Sequence, residues 1–285
     1  MLLQTRFRVN FDIKNHMKLL LSIGNGLLLL CAGCVMAQEQ TNVPQQAQNM
    51  MASPATEGTL SPRAESVLRS ACDFLAQRPV FSFSGEIWRE HVNEAGQKVQ
   101  FSRSVEMDVK RPDGLRLEIS SPFAARGFWY DGKTLTILDR KHNWYSTAAM
   151  PSTLDATVDT ARDEYGIDLP LIDLAVSDPY KNATAKVQGS RYYGISPVLG
   201  VPCDHLAFTQ ENVDWQIWIE EGPQPLIRKF VITYKNEPGQ PEFTAFITHW
   251  DITDPIADSD FIFSPPVGAS EIEMRKDDQS SDNTK

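Results

Sequence analysis

The apolar positions of this chain switch from helical spacing to alternation, back to helical spacing, and to alternation again. Ser61-Pro62 is a helix start, with Ser as N-cap and Pro at the first helical position. Ala64, Val67, Leu68, Ala71, Cys72 and Leu75 then recur on one face, and Pro79 closes the segment. From Phe81 the period is two. Phe81, Phe83 and Ile87 alternate with Ser82, Ser84 and Glu86, and a turn follows at Asn93 to Gly96. Val105, Met107 and Val109 lead into the turn Pro112-Asp113-Gly114, and Leu115, Leu117 and Ile119 resume the alternation. Asp131-Gly132, between Phe128-Trp129-Tyr130 and Thr134 to Leu138, is a tight hairpin, because Asp-Gly accepts positive φ angles. Trp144-Tyr145 begins a further strand.

Helical spacing returns at Leu154, Val158, Ala161 and Tyr165, followed by a short piece from Leu169 to Ala175. Strands resume at Tyr192-Tyr193, His205 to Phe208, Val213 to Ile219, Ile227 to Tyr234, Phe243 to Trp250 and Phe261-Ile262-Phe263. The pattern predicts a mainly β, α+β domain. It has about 10 or 11 antiparallel strands, one leading helix and a mid-chain helical insertion, in a sheet that curls or closes.

Parity places large aromatics on both faces of that sheet. Val213, Trp215, Ile217 and Ile219 share one face, while Trp218 sits opposite with Asp214, Gln216 and Glu220. Trp88 shares parity with Ser82, Ser84 and Glu86, and Phe246 and Trp250 oppose Phe243 and Ile247. Isolated exposed aromatics explain this locally; a helix-covered apolar cavity explains it functionally.

Residues 17–37 change the setting. A basic flank (Arg6, Arg8, Lys14, Lys18), an apolar core from Leu19 to Leu30 and small residues after it make a secretory signal, too short for a membrane span. Met17 is an alternative start. Val35-Met36-Ala37 before Gln38 offers an ordinary cleavage site, giving a soluble periplasmic protein; Cys31-Ala32-Gly33-Cys34 offers a lipobox, in which Cys34 carries an N-terminal lipid anchor. Residues 38–60 read as a disordered leader, 61–273 as one β domain, and 274–285 as a disordered tail. Removing residues 1–37 leaves 23 basic against 36 acidic residues, a net −13. That balance speaks against nucleic acid and anionic lipid surfaces as electrostatic partners.

Candidate chemistry is sparse. Cys72 and Cys203 are a disulfide candidate in an oxidising compartment, or else two buried thiols. Cys203 and His205 share a strand face, but His91, His142, His205 and His249 form no zinc pattern, so no metal is expected. Gly194-Ile195-Ser196-Pro197-Val198 breaks the nucleophile-elbow motif at its last position, and no phosphate loop or dinucleotide fingerprint is present. No cofactor and no catalytic residue are assigned.

Six ordered blocks are more specific: Arg111 to Arg116, Tyr130 to Thr136, Gly200 to Phe208, Val213 to Glu220, Arg228 to Lys235 and Phe261 to Pro266. Over roughly residues 61–273 the chain resembles the predicted periplasmic family of domain of unknown function 2092. That resemblance implies a fold similar to the lipoprotein carriers LolA and LolB, an unclosed antiparallel barrel with helices as a lid over an apolar cavity. The family has no established activity. The expectation is a monomeric, non-enzymatic periplasmic binding protein holding an acyl chain, lipid or lipidated segment. An envelope adaptor or stress sensor is the alternative, and a hydrolase the third. Candidate cavity residues are Trp88, Phe101, Trp129, Trp144, Trp218, Phe246 and Trp250, with Leu154, Val158 and Leu171 on the lid.

Overall fold

A computed structural model describes residues 60–277. The signal segment with Met17 and Cys34, the leader up to residue 59 and the tail from residue 278 lie outside the described residues. The chain opens with α1 (Pro62–Ala76), where the Ser61 hydroxyl accepts from Ala64 N as the N-cap. Six strands follow in a meander: β1 (Val80–Val92), β2 (Lys98–Lys110), β3 (Gly114–Ser120), β4 (Ala125–Tyr130), β5 (Thr134–Asp139) and β6 (Trp144–Ala149). Next come α2 (Leu154–Tyr165), a 3-10 turn at Ile172–Leu174 and α3 (Pro179–Thr184). Then β7 (Gly189–Ile195), β8 (Cys203–Thr209), β9 (Val213–Glu220), β10 (Ile227–Tyr234) and β11 (Glu242–Asp251) complete the meander, and β12 (Ser270–Glu271) ends the folded part.

All twelve strands form one sheet, ordered β12-β6-β5-β4-β3-β2-β1-β11-β10-β9-β8-β7. Every pairing is antiparallel except β12 on β6, and the sheet is unclosed, with β12 and β7 as its edges. The first half of the meander and the second half meet where β1 pairs with β11. The helices cover one face, here the inner face. The α1 stripe Ala64, Val67, Leu68, Ala71, Cys72 and Leu75 is buried against it, as are Leu154, Val158 and Ala161 of α2. Each fully buried Leu or Ile contributes about 1.5–3 kcal/mol, so this layer is held mainly by apolar contact.

Three expectations are corrected. Phe261-Ile262-Phe263 is no strand: a 3-10 turn at Asp258–Phe261 buries Phe261 beside Gly114 of β3, and Phe263 packs on the outer face against Trp129 and Tyr145. Trp250 is not on the face of Phe246. A bulge opposite Ser84/Gly85 inserts Thr248, so Phe83 pairs with Trp250 and the indole turns inward onto Phe81 and Phe83. Gly85 permits the bulge, since a Cβ there would lie 2.1 Å from the Phe246 carbonyl oxygen. Finally, Cys72 and Cys203 are both free. Cys72 packs in the inner core, whereas Cys203 belongs to an outer-face cluster with Val198, Trp218 and Val231, so the sheet separates the two thiols. Beyond β12 the chain returns to the domain: Met274 packs on the core, and Asp277 N donates to Glu164 O.

Candidate functional site

The inner face divides into a closed lower end and a less covered upper end. At the lower end, where β2 turns into β3, the Arg111 guanidinium donates to five backbone carbonyls. Nε reaches Ala175 O (3.0 Å), one terminal nitrogen reaches Leu75 O (2.9 Å) and Arg78 O (2.7 Å), and the other reaches Leu174 O (3.0 Å) and Val176 O (3.1 Å). All five N–H groups of an arginine side chain are thereby used. Burial drags this guanidinium down to about 10, with Asp155 pulling the other way, and it remains a cation at neutral pH. One side chain thus ties the end of α1 and the 172–176 segment to the sheet. Tyr130 OH, donating to Pro151 O at 2.6 Å, fixes the start of α2 beside it.

At the upper end, around the β1–β2 turn, the inner face is only half-buried. Its rows follow from the register. The top row runs Phe208, Trp215, Ile232, Phe243, Arg89, Phe101 across β8, β9, β10, β11, β1 and β2. The next runs Ile217, Phe230, Ala245, Ile87, Arg103. A third runs Val105, Ile119, Arg126, Asp139, Trp144 across β2 to β6. Phe208 and Trp215 stack at 3.9 Å, and Trp215 and Phe230 at 5.6 Å. Phe101, Phe230, Ile232 and Tyr234 are left partly exposed. The rim is therefore aromatic, and three arginines stand in phase with the apolar positions of their own strands.

The candidates read from the sequence separate by face. Phe101 and Trp144 lie on the inner face at the upper rim, Trp144 stacked on His142. Leu154, Val158 and Trp250 are buried in the core and Leu171 is packed against it. Trp88, Trp129, Trp218 and Phe246 lie on the outer face, on the side of the sheet away from the helices. Trp88 donates its Nε1 to Glu86, Trp129 packs on Phe263, and Trp218 and Phe246 sandwich the Lys229 ammonium at 4.4 and 5.2 Å. That outer ladder continues to His205, stacked on Trp218 at 4.1 Å, and to Tyr193 at 5.1 Å. Burial, and then Lys229, push the His205 pKa down against a bond to Gln216, so the imidazole is neutral at neutral pH. The residues missed are Arg89, Arg103, Arg126, Phe230, Ile232 and Tyr234. For Arg103 the signal was present, since it keeps the phase of Val105, Met107 and Val109.

Among the described residues no helix is long and apolar enough to cross a membrane. Solved structures with a similar course share little sequence. An uncharacterized conserved protein from Thermus thermophilus gives a TM-score of 0.44 at 10% identity, over 74% of this chain and 99% of its own. The Mycobacterium tuberculosis lipoprotein LppX gives 0.43 at 10% identity, over 69% and 98%. A putative outer membrane lipoprotein-sorting protein domain from Vibrio parahaemolyticus gives 0.33 at 9%, over 70% and 97%. No curated protein sequence matches. The family model described as "Predicted periplasmic protein (DUF2092)" matches residues 64–275, nearly all of the folded region, and the chain belongs to that periplasmic family.

Proposed function

We propose that this protein is a non-enzymatic periplasmic carrier that takes an acyl chain, as a lipid or a lipidated segment, onto the upper rows of its inner face. The observation that supports this is the half-buried rim of Phe101, Phe230, Ile232 and Tyr234 at one end of an otherwise well-covered apolar face. An inserted chain would cover these side chains, each buried methylene contributing about 0.8 kcal/mol. Eight methylenes would thus contribute roughly 6 kcal/mol before the cost of ordering the chain. The Arg111 clamp at the far end fits a carrier, because it anchors the helical layer while the upper end is free to admit a ligand. The buried acid Asp204 is committed to structure, accepting from Tyr192 OH at 2.8 Å and pairing with Arg63, which speaks against a hydrolytic role for it.

Native mass spectrometry of the mature protein purified from periplasm tests this. A discrete extra mass that leaves on denaturation supports a carrier. A bare polypeptide mass, unchanged after incubation with lipid extract, sinks it.

A second reading, an envelope adaptor, is favoured by one feature. The edge strand β7 and the loop after it expose Tyr193 (53%), Ile195 (48%) and Leu199 (70%). An added strand from a partner would pair with that open edge. Substituting Tyr193 and Ile195 by Ser would abolish partner capture under this reading and leave lipid uptake untouched under the first.

A further inference from the structure

We propose that Arg89, Arg103 and Arg126 form a head-group site, so that the ligand is an anionic amphiphile bearing a phosphate or carboxylate next to its chain. This rests on the carrier reading and narrows it. Arg89 and Arg103 are diagonal neighbours: Arg89 pairs with Phe101 and Arg103 with Ile87, two residues away along each strand. Arg126 pairs with Ile119, whose other partner is Val105, so it stands two strands over and one row down from Arg103. All three positions carry the inner-face phase of their strands, at the same upper end as the aromatic row.

The surroundings are those of an anion site. Burial lowers the Arg103 pKa most, and the further causes are its neighbours Arg89 and Arg126. Of the acids nearby, Glu237 lies 3.8 Å from Arg89 at an exposed position. Asp139, in register with Arg126, accepts from Lys141 N (3.0 Å) and His142 N (3.1 Å) and bonds the His142 ring (3.0 Å). Arg89 stands 5.1 Å from the Tyr234 ring, which braces it against the apolar row. In a chain with a net charge of −10, three guanidiniums gathered on an inner face repel one another, and an anion seated among them would offset that repulsion. Phosphate and carboxylate are the groups that planar guanidinium forks bind bidentately.

The test compares probes with one chain and different heads. The mature protein is titrated with 1-palmitoyl lysophosphatidylglycerol, palmitate, 1-palmitoyl lysophosphatidylcholine and 1-palmitoyl glycerol, at low and at 0.5 M salt. At least one of the two anionic probes should bind at least tenfold tighter than 1-palmitoyl glycerol at low salt. Added salt, or Arg103→Gln with Arg126→Gln, should narrow that gap to under threefold. A phosphate-only or carboxylate-only preference would identify the head. Equal affinity for all four heads in the wild-type protein would overturn the head-group site and leave the carrier intact. No binding of any probe would overturn both. The wild-type comparison stands even where the substituted protein fails to fold.

Discussion

Replacing Arg111 by Met should detach the lower end of the helical layer from the sheet. Methionine keeps most of the apolar stem and removes five donors at once. The carbonyls of Leu75, Arg78, Leu174, Ala175 and Val176, now bonded at 2.7–3.1 Å, would lose a charged partner at a half-buried site. Hydrogen bonds to a charged group contribute about 1.5–3 kcal/mol each, but five on one side chain do not add. The cation also pays for its own burial, which is what lowers its pKa to about 10. Those opposing effects bring the expected net loss to about 3–5 kcal/mol, the range for breaking a buried charged network by removing one partner. For a domain of this size each kcal/mol lowers the melting temperature by roughly 2–4 °C, so a fall of about 6–20 °C is expected. Arg111→Lys should fall between, since an ammonium has three donors and reaches at most three of the five oxygens.

Urea unfolding followed by tryptophan fluorescence measures the loss, and hydrogen exchange locates it. Amides near residues 75–78 and 172–176 should exchange faster, with β4 and β5 little changed. A loss under about 1 kcal/mol, or faster exchange spread evenly over the sheet, would refute the clamp.

Four further outcomes are expected. Gly85→Ala should destabilise strongly and disturb the environment of Trp250, because the new Cβ meets the Phe246 carbonyl at 2.1 Å; an unchanged melting curve and tryptophan spectrum would refute the bulge as the cause of the inward turn. Trp250→Phe should cost about 1–3 kcal/mol in urea unfolding, since Nε1 donates to Ile227 O at 2.8 Å and its loss leaves that buried carbonyl unpaired; a loss below about 0.5 kcal/mol, the scatter of ordinary surface changes, would contradict it. Alkylation after denaturation without reductant should modify both Cys72 and Cys203. Burial, helped by Asp73 and Asp178, raises the Cys72 thiol to about 12. The folded state then holds a proton that the unfolded chain releases near pH 9, so stability is full below pH 9 and falls toward pH 12, by up to about 1.4 kcal/mol per pH unit. Cys72→Ala should flatten that slope between pH 9 and 10; an unaltered slope would refute the assignment.

Elements specified by neighbouring residues were legible. Ser61-Pro62 with its apolar stripe marks α1, and Asp131-Gly132 turns β4 into β5 with Gly132 at φ 83°. Asp178-Pro179 carries the same cap-and-proline signature as Ser61-Pro62, yet α3 is too short to show periodicity beside it. What escaped depends on partners distant in the chain. Strand parity puts Trp250 outside because alternation knows nothing of an inserted Thr248, and that bulge exists only where β11 meets Gly85 of β1. The run Phe261-Ile262-Phe263 has strand composition, but its first ring is buried in a 3-10 turn beside Gly114 of β3 and its last packs on Trp129 and Tyr145.

The rim was missed for a different reason. Alternation read as apolar against polar assigns any arginine to the solvent side, although Arg89 and Arg103 fall in phase with Ile87 and Val105. A charge placed in the buried phase of a strand breaks the local rule that builds the rest of the sheet. Here the same break occurs on β1, β2 and β4, at one end and on one face. Apolar residues at these positions would extend the core without that repulsion. Local rules broken together are expected at functional or strained sites. That coincidence is what supports the proposed head-group site at the rim, one row from the aromatic side chains on which a chain would lie.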